Sequence, residues 1–324
     1  MNRIIWCTAI LLGSLNGCNR QESETSPTKG HVTAIVSESH TPLLQKEADE
    51  FHRLYGTASV TLLPASTREA IVHLVNDSVR VIVTDRALNA EERGVVEKAG
   101  ITITETKIAE DALVLVVHRQ NPVQNMALSS LKDIVTRKIT EWSRVPEALR
   151  AQPKWSGSKA LAGPIEFVFT GRNSGAYELL AQKFLNLQED LVPAVVAQTQ
   201  KEVLDYVANH PRAFGVVSAA CFYGATRPQG VPDTTTVLRL LAVPRADTTS
   251  ADVFVKVHQY YIHRGIYPFH YGVYMYFTSS TTRDAGPELG FTTFVASYPG
   301  QKIIQDAGLV PATMPIRVIQ TKQE

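Results

Sequence analysis

HVTAIVSESHTPLLQKEADEFHRL, residues 31–54, changes its hydrophobic period part-way along. His31 to Ser37 is a short run rich in β-branched residues, and Leu43, Leu44, Ala48, Phe51 and Leu54 then recur at helical spacing. The change repeats downstream. Ala58 to Leu63 reads as a strand, and Ser66 with Glu69 forms a capping box that opens a helix running through Leu74. Val79 to Thr84 is a third strand, followed by the cap-like Asn89-Ala90-Glu91-Glu92. Strands alternating with helices predict α/β layers on largely parallel sheets.

Further along, Ala112 to His118 is strongly apolar, and Leu131, Ile134 and Val135 fall on one helix face. Trp142 to Pro164 is rich in Pro, Gly, Ser and Ala and reads as an irregular surface excursion. Ile165 to Phe169 is a strand running straight into Thr170-Gly171-Arg172-Asn173-Ser174-Gly175. The helix that follows carries Leu179, Leu180, Phe184 and Leu185 as its apolar stripe.

The start of the chain has a different character. A short basic opening, Met1-Asn2-Arg3, precedes the mostly apolar Ile4–Leu15, and Leu15-Asn16-Gly17-Cys18 closes the run. That run is too short to span a bilayer and has the layout of a signal peptide. Leu three positions before the cysteine and Gly just before it resemble a bacterial lipobox. Residues 1–17 are therefore expected to be a lipoprotein signal peptide, with Cys18 the lipidated first residue. The alternative is an ordinary secretory signal with an incidental cysteine. Residues 18–30 are polar and lack large apolar side chains, which predicts a disordered tether. After Cys7 and Cys18, only Cys221 remains, so no internal disulfide or cysteine metal site is expected.

The 324 residues suffice for two domains, and 44% hydrophobic with 19% charged residues is the balance of a soluble globular protein. A net charge of +1, with Lys and Arg scattered, gives no reason to expect a nucleic-acid partner.

In α/β folds ligands bind outside the carboxyl ends of strands, where free N–H groups and the positive helix end suit anions. Three strand-to-helix junctions carry small hydroxyl or glycine residues: Ser37-Glu38-Ser39, Ala65-Ser66-Thr67 and Asn173-Ser174-Gly175-Ala176. Each could equally be a helix cap.

Together, the segments SESHTPLL, PASTREAI and VIVTDRALNAEE, with KIAEDALVLVV, FVFTGRNSGAYELL and the late YPFHYGVYMYF and GFTTFVASYPGQKIIQDAGLVPA, resemble the phosphate-binding proteins of bacterial ABC transporters. These form a branch of the type 2 periplasmic-binding-protein superfamily, and the resemblance runs from about His31 to Ile319. It implies a two-lobed α/β fold with the ligand cleft between the lobes. The first lobe would take residues 31–110 and 268–324, and the second residues 111–267. It also implies Ser39, Thr67, Asp85, Ser174 and Gly175 as ligand-binding residues, with Asp85 accepting the proton that phosphate carries near neutral pH. The implied protein is a monomer without metal, organic cofactor or catalytic residues. It would sit in the periplasm or at the cell surface, capture inorganic phosphate or a similar oxyanion, and pass it to an ABC permease.

The third junction departs from the family pattern, with Thr170 where the family usually has Arg and Ala176 where it has Thr. Arg172 is the expected substitute cation, with Arg68 and Arg86 as alternatives. Two other functions are compatible with parts of the sequence: a surface oxyanion sensor without a transporter, and a serine hydrolase. The second rests on Ser156-Gly157-Ser158-Lys159, which matches S-x-x-K without its companion S-D-N or K-T-G motifs.

Overall fold

The computed structural model describes residues 25–150, 162–226, 237–250, 253–279 and 286–313. Cys18 with the expected signal peptide, and Ser156–Lys159, lie outside the described residues. In chain order the first elements are β1 (Lys29–Ser37), α1 (Thr41–Leu54), β2 (Thr57–Ala65), α2 (Thr67–Val75), β3 (Val81–Thr84), α3 (Ala90–Lys98) and β4 (Thr102–His118). Then come α4 (Leu128–Val135), α5 (Pro146–Arg150), β5 (Glu166–Thr170), α6 (Gly175–Glu178), β6 (Val195–Ala197), α7 (Gln200–Asn209), β7 (Ala213–Ser218) and α8 (Ala219–Thr226). The last are β8 (Leu238–Leu240), β9 (Val243–Pro244), β10 (Phe254–Val255), α9 (Gln259–His263), β11 (His270–Ser279), α10 (Pro287–Ala296), α11 (Tyr298–Asp306) and β12 (Val310–Pro311).

The capping signals formed as expected. Ser66 accepts from the Glu69 N–H while the Glu69 carboxylate takes the Ser66 N–H, and Asn89 and Glu92 do the same at α3. Period-2 alternation then sorts side chains between the two faces of the sheet. Val32, Ala34, Val36, Val81 and Val83 enter the large core, while Ile35 and Ile82 join Ile71, Leu74 and Val96 in a smaller core on the opposite face.

The strand order is β2-β1-β3-β11-β4-β7-β5-β6, with β8 and β12 also paired to β4. Both ends of this sheet are parallel, as expected: β2-β1-β3 at one end, β7-β5-β6 at the other. Its middle is not. β11 runs antiparallel to β3 and β4, and β4 antiparallel to β7. β4 is shared between the halves: Thr102–Ala112 pair with β11, and Leu113–Val117 pair with β7.

Three other expectations change. β1 begins at Lys29, inside the stretch read as a tether, and a side chain at Gly290 of α10 would collide with the Pro27 carbonyl. Local polarity had suggested a free segment, but strand pairing with β2 and packing on α10 hold its end. The stretch read as an irregular excursion contains the short helix α5. After Glu178 the single expected helix becomes a π-helical turn, Leu179–Phe184, with Leu185 N–H bonded to the Leu180 carbonyl.

Candidate functional site

Strand register brings the junctions together. Ser37 lies opposite Ala65 and Val36 opposite Val83, so β1, β2 and β3 end side by side. Thr170 lies opposite Ala197, so β5 and β6 also end together. Between these two sets of carboxyl ends is a cleft of about 690 Å³, lined by Ser37, Glu38, Ser39, Ser66, Asp85, Thr170 to Ala176, Gln198 and Gln200 among others.

Asp85 is buried at the end of β3 and its two oxygens have different surroundings. Oδ1 accepts from Ser37 Oγ at 2.5 Å and Ser39 Oγ at 3.4 Å, and lies 2.9 Å from His40 Nδ1. Oδ2 faces Gly175 across the cleft, so close that a β-carbon there would sit 2.1 Å from it. Glycine at this position is a steric requirement of the approach.

Behind Asp85 lies a fully buried relay. His40 Nε2 meets Asp111 Oδ2 at 3.0 Å, and Tyr271 donates its hydroxyl to the same oxygen at 3.1 Å. Asp111 Oδ1 accepts the backbone N–H groups of Ala112 and Ala220 at 2.7 and 3.2 Å. Burial by itself would strip the proton from His40, but hydrogen bonds and charge from Asp111 and Asp85 outweigh it and push its pKa up to about 10. His40 is thus an imidazolium clamped between two carboxylates, holding Asp85 in place from outside the cleft.

A family model described as a PBP superfamily domain matches residues 21–298. This chain belongs to the PBP superfamily. Among curated proteins, the phosphate-binding protein PstS of Pseudomonas aeruginosa is 21% identical over 305 residues, 92% of this chain and 87% of that one. Protein SphX of Synechococcus elongatus is 26% identical over 167 residues, 50% of this chain and 46% of its own length. The phosphate-binding protein PstS 2 of Streptococcus agalactiae is 26% identical over 125 residues, 39% of this chain and 41% of that one. In the SphX and PstS 2 matches the chain thus spans less than half of the relative's length. Among solved structures, a Clostridium perfringens substrate-binding protein with bound phosphate superposes with a TM-score of 0.66 at 21% identity, covering 88% of this chain and all of that one. An ABC-type phosphate transport receptor from Vibrio cholerae gives 0.58 at 18% identity, covering 88% of this chain. At these identities the superpositions show the fold, a two-lobed PBP architecture of type 2.

In this PBP cleft the expected residues fare unequally. Ser39, Asp85, Ser174 and Gly175 converge on it. Ser174 also caps α6, accepting from the Tyr177 N–H at 3.1 Å, and its hydroxyl is 2.7 Å from that of Thr170. Thr67 does not line the cleft; its neighbour Ser66 does, and the Thr67 hydroxyl is buried without a hydrogen-bond partner among the described residues. Arg172 lies at the rim with its side chain 69% exposed and pairs with Asp190 at 2.7 Å. Arg86 is held by Glu92 at 2.7 Å and Glu178 at 2.9 Å, and Arg68 is largely exposed, 4.0 Å from Glu178. Each of the three expected cations faces a carboxylate: Arg86 meets Glu92 six residues on and Glu178 from α6, Arg68 lies near Glu178, and Arg172 meets Asp190.

Sequence reasoning missed His40, Asp111 and Glu38. The Glu110-Asp111 pair running into the apolar stretch Ala112–His118 was a usable signal for Asp111, since a charge entering a buried strand needs a partner. His40 and Glu38 stood among the hydroxyls of the first junction and gave no signal of their own.

Proposed function

We propose that this PBP-superfamily chain is an extracytoplasmic solute-binding protein that captures phosphate, or a closely similar tetrahedral oxyanion, for an ABC uptake transporter. The observation that carries the reading is Asp85. One of its oxygens is saturated by Ser37, Ser39 and His40, and the other is presented to the cleft opposite Gly175. A carboxylate so held can accept a proton from a protonated oxyanion, while the surrounding hydroxyls and N–H groups donate to its other oxygens. Sulfate has no proton to give, and would set two anions against each other in a half-dry cleft. The same proposal divides the lobes at 31–110 with 268–324 and at 111–267, closing on ligand by hinge motion. It makes the protein a monomeric binder and not an enzyme.

Calorimetry with phosphate, arsenate, sulfate, molybdate and tungstate tests the reading. Phosphate should bind well ahead of sulfate. Asp85→Asn should weaken phosphate by roughly ten- to hundredfold and narrow its lead, because an amide can donate to a fully ionised oxygen. Unchanged affinities and an unchanged ratio would make Asp85 structural.

The proposal also places the protein at a membrane surface through acyl chains on Cys18, on the strength of Leu15-Asn16-Gly17-Cys18. Mass spectrometry of the native protein should find an N-terminus at Cys18 carrying lipid mass; an N-terminus elsewhere with Cys18 unmodified or removed refutes it.

A further inference from the structure

Glu38 stands in the cleft and plays no part in the mechanism above. It leaves β1 in the first half of the sheet and reaches across to α7 in the second, where the Gln200 N–H donates to its Oε1 at 3.2 Å and lies 3.4 Å from Oε2. Gln200 is buried, its own side chain spent on the Ser218 N–H at 2.7 Å. Glu38 therefore occupies a backbone donor on the far side of the cleft. No cation balances it in any ion pair of the described residues: Arg172, which lines the same cleft, is taken by Asp190, and His40 by Asp85 and Asp111.

An ionised Glu38 would add a second carboxylate beside Asp85 in a space that takes an anion. A protonated Glu38 changes sign in that role. One oxygen keeps the Gln200 N–H and the other offers an O–H to the ligand. Resting on the oxyanion reading, we infer that Glu38 is a specificity-determining residue: protonated, it donates a hydrogen bond to an ionised oxygen of the ligand, and the cleft excludes the ligand when Glu38 is ionised.

The charges around it agree in direction. Burial pushes the Glu38 carboxyl up, against the Gln200 N–H, which pulls it down; Asp85 and Glu202 add to the rise and His40 opposes it. Of the other titratable groups nearby, the Cys221 thiol of α8 is buried and pushed up to about 12, so it stays neutral, and the Glu69 carboxyl on the same cleft wall is held down by the Ser66 N–H and hydroxyl. Because Glu38 must hold its proton to bind, ligand is lost as pH rises, by up to about tenfold in Kd per pH unit once Glu38 ionises in the free protein.

The test is calorimetry with inorganic phosphate from pH 5 to 8.5 on the wild type, Glu38→Gln and Glu38→Ser, each checked for a native circular-dichroism spectrum. Phosphate's own titration is common to all three proteins and cancels in the ratio of their affinities. The expected result is a wild-type affinity that falls relative to Glu38→Gln as pH rises, the ratio changing at least about tenfold over the range. Glu38→Ser, with no titratable group, should follow Glu38→Gln in slope. Phosphate binding with parallel pH profiles in all three proteins overturns the role of Glu38 and leaves the oxyanion reading standing. No phosphate binding by any of them at any pH overturns the oxyanion reading, and the inference with it.

Discussion

Replacing His40 with leucine should destabilise the protein by about 3–5 kcal/mol at pH 7, a large share of a typical folding free energy. The side chains of His40 and Asp111 are both fully buried and that of Asp85 nearly so. Removing the imidazolium leaves two carboxylates in the interior with hydroxyls and N–H groups but no cation. Leucine fills much of the volume, so the loss reports charge more than cavity. The wild type should show a matching pH signature. His40 has a folded pKa of about 10 against an ordinary 6.5. Its contribution is therefore fully present below about pH 6.5 and is lost as pH rises through about 10. Urea denaturation from pH 6 to 10 measures both effects. A loss under about 1 kcal/mol for His40→Leu would mean that the carboxylates are compensated elsewhere.

Replacing Glu47 with methionine should do the opposite. Glu47 lies on the buried face of α1 beside Leu43, Leu44 and Phe51, and neither carboxyl oxygen meets a hydrogen-bond donor among the described residues. Burial, helped by the charge of Glu50, pushes its pKa up to about 9. An acid with a raised folded pKa favours the folded state least where the unfolded chain ionises it freely. Stability is thus full below about pH 4.5 and falls as pH rises toward about 9, by about 1.4 kcal/mol per unit. Near pH 7.5 the cost is about 4 kcal/mol, and Glu47→Met, similar in length and apolar, should recover most of it. The gain should grow with pH and level off above about 9, leaving the His40 dependence in place. A pH-independent gain would show that packing is responsible. A loss would mean that the carboxyl has a partner.

Much of the fold was legible because its signals are local. Ser66 with Glu69 and Asn89 with Glu92 close their boxes within one helical turn, and the apolar alternation in Val32–Val36 needs only the strand itself. The meeting of the first and third junctions, with Ser39, Ser174 and Gly175, on one cleft follows from strand-end logic, since parallel strands put their carboxyl ends together, whereas Asp85 was implied only by the family resemblance. What could not be read depends on partners far away in the chain. β4 meets β11 across more than a hundred and fifty residues, as in Ala112 opposite His270, and nothing in either segment states that the pair is antiparallel. Arg86 is also held by Glu178, ninety-two residues on, and Arg172 by Asp190, pairings that the local sequence does not state. His40 carries no mark in sequence because its environment is made by Asp85 and Asp111, both remote from it.

Asp111 sits where β4 gives up one neighbour for another, next to Ala112, the last residue paired with β11, and Leu113, the first paired with β7. If the two halves turn against each other with their own pairings intact, the twist in β4 has to be absorbed at that changeover, which becomes a fulcrum. Asp111 there holds the Ala220 N–H from one half and His40 from the other, and His40 holds Asp85. If a ligand in the cleft pulls on Asp85 as proposed, it would also pull, through a single imidazole, on that fulcrum, and the occupancy of the cleft and the attitude of the halves would be geared together by three side chains.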